Sequence, residues 1–197
     1  AVRRHSVSWP RRMENGLSPC AGCISLLGME GGSIVESQIS ASSVHYGIVG
    51  LQRWGPELAR LNNQGIVNAW TSATHDRNPW IQIDMQKTMR LTGIITQGAS
   101  RLGAAEFIKA YKITYSLDGQ SYNTYKGCTC AASSQVFVGN MDNDSTKTNL
   151  FDPPIVAQYI RIIPVVCRRA CTLHLNKCYN SLIWFNILSC IYLNHNL

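Results

Sequence analysis

The stretch Trp80-Ile81-Gln82-Ile83-Asp84, followed at short distance by Thr92-Gly93-Ile94-Ile95-Thr96-Gln97-Gly98, decides the fold. Both runs carry β-branched residues at alternate positions, the period at which a strand buries one face, and Thr92-Gly93 and Gln97-Gly98 punctuate the second. The pattern predicts two consecutive strands of a β-sandwich.

Working outward, Arg60-Leu61-Asn62-Asn63-Gln64-Gly65 leads into Asn68-Ala69-Trp70, and Pro153-Pro154-Ile155 opens Tyr159-Ile160-Arg161-Ile162-Ile163-Pro164. Tyr111-Lys112-Ile113-Thr114-Tyr115-Ser116 runs into Leu117-Asp118-Gly119, whose Asp-Gly pair is a hairpin-turn signature. Trp70, Trp80 and Phe137 sit in these strand-like contexts and are expected in the core. A chain of 197 residues supports one well-buried core. The expected organisation is a domain over 23–178, a disordered or linker tail over 1–22, and an atypical apolar tail over 179–197. Ala1 to Pro19 contains arginines but no apolar run, which reads as a fragment or processed piece rather than a secretory precursor.

The formal net charge is +7, but between Cys23 and Cys178 fourteen Lys and Arg face ten Asp and Glu, leaving +4. No basic stripe is interleaved with aromatics, so no nucleic-acid partner is expected. A moderately basic surface favours anionic lipid headgroups or sulfated glycans. Eight cysteines point to an oxidising, extracellular compartment. Cys20-Ala21-Gly22-Cys23 and Cys128-Thr129-Cys130 look like metal half-sites, yet zinc would need both pairs to converge and Cys-x-Cys is an unusual spacing, so neither metal nor cofactor is expected. Cys167 and Cys171 can close a small loop only if Arg168-Arg169-Ala170 turns, because an extended strand holds their α-carbons beyond disulfide range. Asn143-Asp144-Ser145 is a glycosylation sequon in a polar turn. There is no Gly-x-Ser-x-Gly elbow, no His-Glu-x-x-His and no phosphate-binding glycine loop, and the histidines are scattered, so the chain does not read as an enzyme.

The segment Val44-His45-Tyr46-Gly47-Ile48-Val49-Gly50-Leu51 is apolar, alternates poorly and carries no Lys, Arg, Asp or Glu before Arg53. Ile48, Val49 and Leu51 are therefore either a core strand or an exposed apolar loop. Gly47 and Gly50 favour the loop, since glycine inside a strand marks a bend.

Four further segments, Leu27-Gly28-Met29-Glu30-Gly31-Gly32, Gln38-Ile39-Ser40-Ala41-Ser42-Ser43, Gly50-Leu51-Gln52-Arg53-Trp54-Gly55-Pro56-Glu57-Leu58-Ala59-Arg60 and Cys167-Arg168-Arg169-Ala170-Cys171-Thr172-Leu173, complete the pattern. In this order, with the strand runs above, the chain resembles the factor V/VIII type C family, also called discoidin domains, over roughly Cys23 to Leu175. The resemblance implies an all-β, discoidin-type jelly-roll sandwich or barrel with loop spikes at one end. It further implies a secreted module that binds membranes exposing anionic phospholipid, with phosphatidylserine as the ligand, and roles in adhesion, phagocytosis or vascular remodelling. The first spike would present Tyr46, Ile48, Val49, Leu51 and Arg53; the second, within Thr71 to Asn78, His75 and Arg77; the third, Ala99 to Ala104, Arg101 and Leu102. Basic groups would meet headgroup oxygens while apolar tips leave water. The rival is a glycan or a cell-surface protein held by the same loops, and a glycan site would want an exposed aromatic platform with amides and carboxylates.

The same spacing in the resembling domains implies a Cys167–Cys171 disulfide. Their last strand ends in Glu, a Leu pair, Gly and a cysteine that bridges back to the domain start, whereas here Asn176-Lys177-Cys178 brings the cysteine two residues early. A Cys23–Cys178 bridge is accordingly in question, and a poorly fastened last strand is expected. The apolar run Leu182 to Leu193 is shorter than the roughly 20 residues a bilayer span needs, and reads as foreign sequence or an interfacial segment.

Overall fold

The computed structural model describes residues 25–26, 29, 33–128 and 133–179. The 1–22 tail, Cys23 and everything after residue 179 lie outside the described residues. The strands are β1 (Ser25–Leu26), β2 (Ile39–Ala41), β3 (His45–Tyr46), β4 (Arg53–Trp54), β5 (Trp70–Thr71), β6 (Ile81–Gln97), β7 (Ala99–Arg101), β8 (Ala104–Ser116), β9 (Asn123–Thr124), β10 (Phe137–Val138), β11 (Lys147–Arg168) and β12 (Thr172–Tyr179). Among the described residues, helical structure is limited to single 3-10 turns at Glu36–Gln38, Ile48–Gly50 and Pro56–Leu58. One large antiparallel sheet runs β1-β12-β6-β11-β8-β10, with β2 on β6, β5 on β12, and β7 and β9 on β8; β3 and β4 form a separate ribbon.

The two runs that decide the fold are the two halves of one long strand rather than separate strands. The first half of β6 pairs with β2 and with Tyr159–Ile162 of β11, the second with β12 and with Lys147–Leu150 of the same β11. Between the halves the ladder slips where Ala157 and Tyr159 face Met89 and Asp84, and Gln86 there takes φ 59°. β11 has its own slip between Leu150 and Ile155, opposite Gly93 and Leu91. Extra residues on one strand bend it and increase its twist. The doubled-over strands let Ile81 and Ile83 of one half share a core with Leu91 and Ile94 of the other. Around them pack Tyr111, Tyr125, Phe137 and Phe151, whose neighbouring ring centroids lie 5.4 to 5.8 Å apart.

Trp70 and Phe137 are buried as expected, but Trp80 is not core. It lies half-buried on the outer face, where the Arg161 guanidinium sits 4.3 Å from its ring and 3.7 Å from that of Tyr122. Asp118-Gly119 turns β8 toward β9, with Gly119 at φ 74°.

The last strand is well placed despite its altered ending. Thr172 to Cys178 are all buried, β12 lies between β1 and β6, and Tyr179, expected in the tail, pairs with Ser25 and Leu91. Cys178 is disulfide-bonded; Cys23, whose bridge to it was in question, lies outside the described residues. The anomaly is instead Lys177, fully buried opposite Ile94, with its Nζ meeting no hydrogen-bond partner among the described residues.

Cys167 and Cys171 form a disulfide across a Cα separation of 5.1 Å. The required turn is present: Arg169 takes φ 63° and Arg168 bridges to Ala170. So short a loop removes little chain entropy, and Cys167→Ser with Cys171→Ser is expected to lower unfolding free energy by about 2 kcal/mol in urea denaturation, with the fold retained.

Candidate functional site

Gly47 to Gln52 is a loop, not a core strand. It joins β3 to β4 through the Ile48–Gly50 turn, closed by the Gly47 N–H donating to the Gln52 carbonyl at 2.8 Å. Gly50 takes φ 74°, a conformation a β-carbon disfavours. Leu51 is 86% exposed, Ile48 68% and Tyr46 55%. The side chain of Val49 lies outside the described residues. Beneath the ribbon Trp54 is buried with Ala69 and Ala99, so the loop stands on a small apolar footing of its own.

The second apolar tip is the turn between β7 and β8. Leu102 (φ 52°) and Gly103 (φ 73°) are its two central residues, the positive-φ pair of a tight hairpin. Leucine in this region is strained, and here its side chain is 74% exposed. Both tips line one concavity of about 250 Å³, with His45, Tyr46, Gly47, Ile48 and Gln52 from the first and Arg101 and Leu102 from the second.

Arg101 fastens the two loops together. Its Nε and Nη2 donate to the Glu106 carboxylate at 2.9 and 2.7 Å, and Nη1 lies 3.0 Å from His45 Nε2. Glu106 is buried and also accepts from the Thr172 hydroxyl at 2.8 Å. Burial, and then the adjacent Arg101, lower the His45 pKa, which favours the neutral imidazole. Arg53 is ion-paired with Glu57. Neither arginine is therefore a solitary cation. His75 and Arg77 are exposed on the loop between β5 and β6. That loop is tied to the base of the first by Asp76, whose Oδ2 accepts from the hydroxyls of Ser42 at 2.6 Å and Ser43 at 2.5 Å. Burial pushes the Asp76 carboxyl up, but these hydroxyls and the Asn78 N–H outweigh it and hold the pKa below its ordinary value.

The structure thus places Tyr46, Ile48, Arg101 and Leu102 around one concavity, with Leu51 on the same loop as Ile48 and His75 and Arg77 on a loop joined through Asp76. Glu106 and Asp76, which hold the group together, were not singled out from sequence; a carboxylate that clamps loops distant in sequence leaves no periodic signal. Asn143 is half-buried in a separate surface turn, where Asp142 Oδ1 accepts from the N–H groups of Asp144 and Ser145.

Residues 38–174 match the F5/8 type C domain model. The chain is 52% identical to pig lactadherin over 151 residues, covering 77% of this chain and 37% of lactadherin. It is 54% identical to the human EGF-like repeat and discoidin I-like domain-containing protein 3 over 153 residues, 78% of this chain and 32% of that protein. Among solved structures, discoidin II of Dictyostelium discoideum superposes with a TM-score of 0.59 at 23% identity, covering 72% of this chain and 53% of its own. A Clostridium perfringens module, in complex with GalNAc-β-1,3-galactose, superposes with 0.57 at 16% identity, covering 78% and 99%. This chain belongs to the F5/8 type C, or discoidin, family. It spans about a third of the length of the curated relatives it matches.

Proposed function

We propose that this chain is an extracellular, non-catalytic module that binds membranes exposing anionic phospholipid, with phosphatidylserine as its ligand, through the two apolar loop tips. The observation that carries this reading is the juxtaposition of Ile48 and Leu102, both largely exposed, at the ends of loops braced by Arg101 and Glu106, with exposed Leu51 on the Ile48 loop. Apolar tips of this kind gain by leaving water, and basic residues set behind them meet headgroup oxygens. The Cys167–Cys171 disulfide supports an oxidising, extracellular setting. Adhesion and cell bridging, as in a lactadherin-like protein, would need parts beyond this domain. The glycan reading has some support in the galactose-containing ligand bound to a structural neighbour, but at these tips the exposed aromatic side chain among the described residues is Tyr46 alone.

The test is co-sedimentation with vesicles of increasing phosphatidylserine content, alongside a glycan array. Binding should rise with phosphatidylserine and fall with added salt. Equal binding to neutral and anionic vesicles would sink the proposal. A second expectation concerns Leu102→Gly: relief of the left-handed backbone should stabilise the domain by about 1 kcal/mol, while loss of the apolar tip weakens vesicle binding several-fold. A gain in stability with unchanged binding would remove Leu102 from the site.

A further inference from the structure

A larger cavity than the one between the tips lies on the flank of the sheet. It measures about 550 Å³ and is lined by Ala105, Phe107 and Lys109 of β8, Arg168 of β11, and the segment from Val138 to Asp142. Its shape follows from strand geometry. Ala105 and Phe107 alternate along β8 and so face the same side, and Lys109, at the irregularity where Ala110 and Ile108 face Val166 and Cys167, continues the lining over a length of about 13 Å. Arg168 is the cross-strand partner of Phe107 and forms one bank. The opposite bank is drawn close because residue 139 is glycine: a Cβ there would collide with the Ile108 carbonyl. The N–H groups of Gly139 and Asn140 donate to the carbonyls of Lys109 and Ile108 at 2.8 and 2.9 Å, fixing that bank to β8. The result is a trough parallel to a strand.

The chemistry of the trough is amphipathic. Val138 is 65% exposed and Met141 88%, although both border a concave surface. Lys109 and Arg168 are exposed cations against one exposed carboxylate, Asp142, which already caps its own turn. Asn140 is buried and donates through Nδ2 to the carbonyls of Thr96 and Ser145, yet its Oδ1 meets no donor among the described residues. Exposed methionine beside other apolar side chains suits a surface that must fit an apolar anchor.

We propose that this trough is a docking site for an extended acidic segment of a partner protein, about four residues long, with an apolar side chain seated against Val138 and Met141 and carboxylates paired with Lys109 and Arg168. The linear form favours an extended chain, and the two cations select carboxylates. A sugar ring fits less well, because Phe107, the one aromatic of the lining, is buried and offers no open stacking face. The site is distinct from the loop tips and independent of how they bind membranes.

The experiment is selection of a phage-displayed random heptapeptide library on the folded domain, followed by fluorescence anisotropy with the selected peptides. Expected are sequences joining a large apolar residue to Asp or Glu, whose affinity falls at least tenfold in both Met141→Asp and Lys109→Glu with Arg168→Glu. Thermal midpoints near that of the parent establish that the variants fold, and Met141→Asp is the safer one because its side chain projects into solvent. No enrichment, a basic consensus, or undiminished binding to both variants overturns the proposal. So does displacement of the peptide by phosphatidylserine vesicles, which would assign the trough to lipid. A concentration-dependent dimer abolished by Met141→Asp, seen by sedimentation, would assign it to a second copy and likewise overturn it.

Discussion

Replacing Lys177 by leucine is expected to raise the unfolding free energy at pH 7 by about 4 kcal/mol. The basis is a fully buried ammonium group in the middle of β12, opposite Ile94, without a hydrogen-bond partner among the described residues. Burial, only partly countered by Asp84, pushes its pKa down from 10.5 to about 7. A drop of that size, at roughly 1.4 kcal/mol per pH unit, is the free energy spent in holding the side chain away from water. Leucine removes that cost and adds apolar burial opposite Ile94. For a domain of this size, each kcal/mol moves the midpoint by about 2 to 4 °C, so a rise of roughly 10 °C should appear by calorimetry. A change below about 1 kcal/mol would mean that the ammonium reaches water in solution.

The same residue fixes the sign of a pH dependence. Its folded pKa lies below its unfolded value, so between about pH 7 and 10.5 the unfolded chain holds a proton that the folded chain lacks. The unfolding free energy contributed by this group therefore rises with pH across that window and is at its lowest, and flat, below about pH 7. Urea denaturation of the parent at pH 7 and pH 9 should show this rise, and Lys177→Leu should abolish most of it.

Much of the architecture was legible because it rests on period and punctuation. Alternation from Ile81 to Asp84 and in Tyr111 to Ser116 and the Asp118-Gly119 turn each have one economical structural solution, whereas the Cys167–Cys171 pairing came from the family resemblance. What escaped was whether two strand-like runs are joined: nothing in Met85 to Arg90 distinguishes a loop from a strand that bends through a left-handed Gln86. Trp80 was misplaced for a related reason, since alternation says which residues share a face but not which face is inside, and an arginine on the neighbouring strand β11 turns an outer face into a stacking site. At the candidate site, the apolar, glycine-broken run from Gly47 to Leu51 could be read as a loop. The fixing of Arg101 by Glu106, and the clamp of Asp76 on two serines, could not, because side-chain pairing across loops depends on register. Lys177 is the reverse case: it looked like the start of a foreign ending, and the fold absorbs it into the core at a stability penalty.

Ile48→Asp combined with Leu51→Asp is expected to weaken binding to phosphatidylserine vesicles at least about 100-fold while leaving the thermal midpoint within a few degrees of the parent. Each apolar side chain, once removed from water, contributes on the order of 1.5 to 3 kcal/mol, so losing two accounts for that factor before any repulsion between the new carboxylates and an anionic surface. Folding should be indifferent, because both side chains already face solvent in the free domain and the footing of the loop is Trp54, Ala69 and Ala99. Ile48→Asn with Leu51→Asn separates the two contributions: lost apolar burial is common to both pairs, whereas charge repulsion belongs to the aspartates and diminishes at high salt. If the asparagine pair binds like the parent, the tips do not enter the membrane and attraction is electrostatic, carried by residues such as His75 and Arg77. If the aspartate pair melts far below the parent, Ile48 and Leu51 contribute to the core in solution and the loop is not a membrane tip.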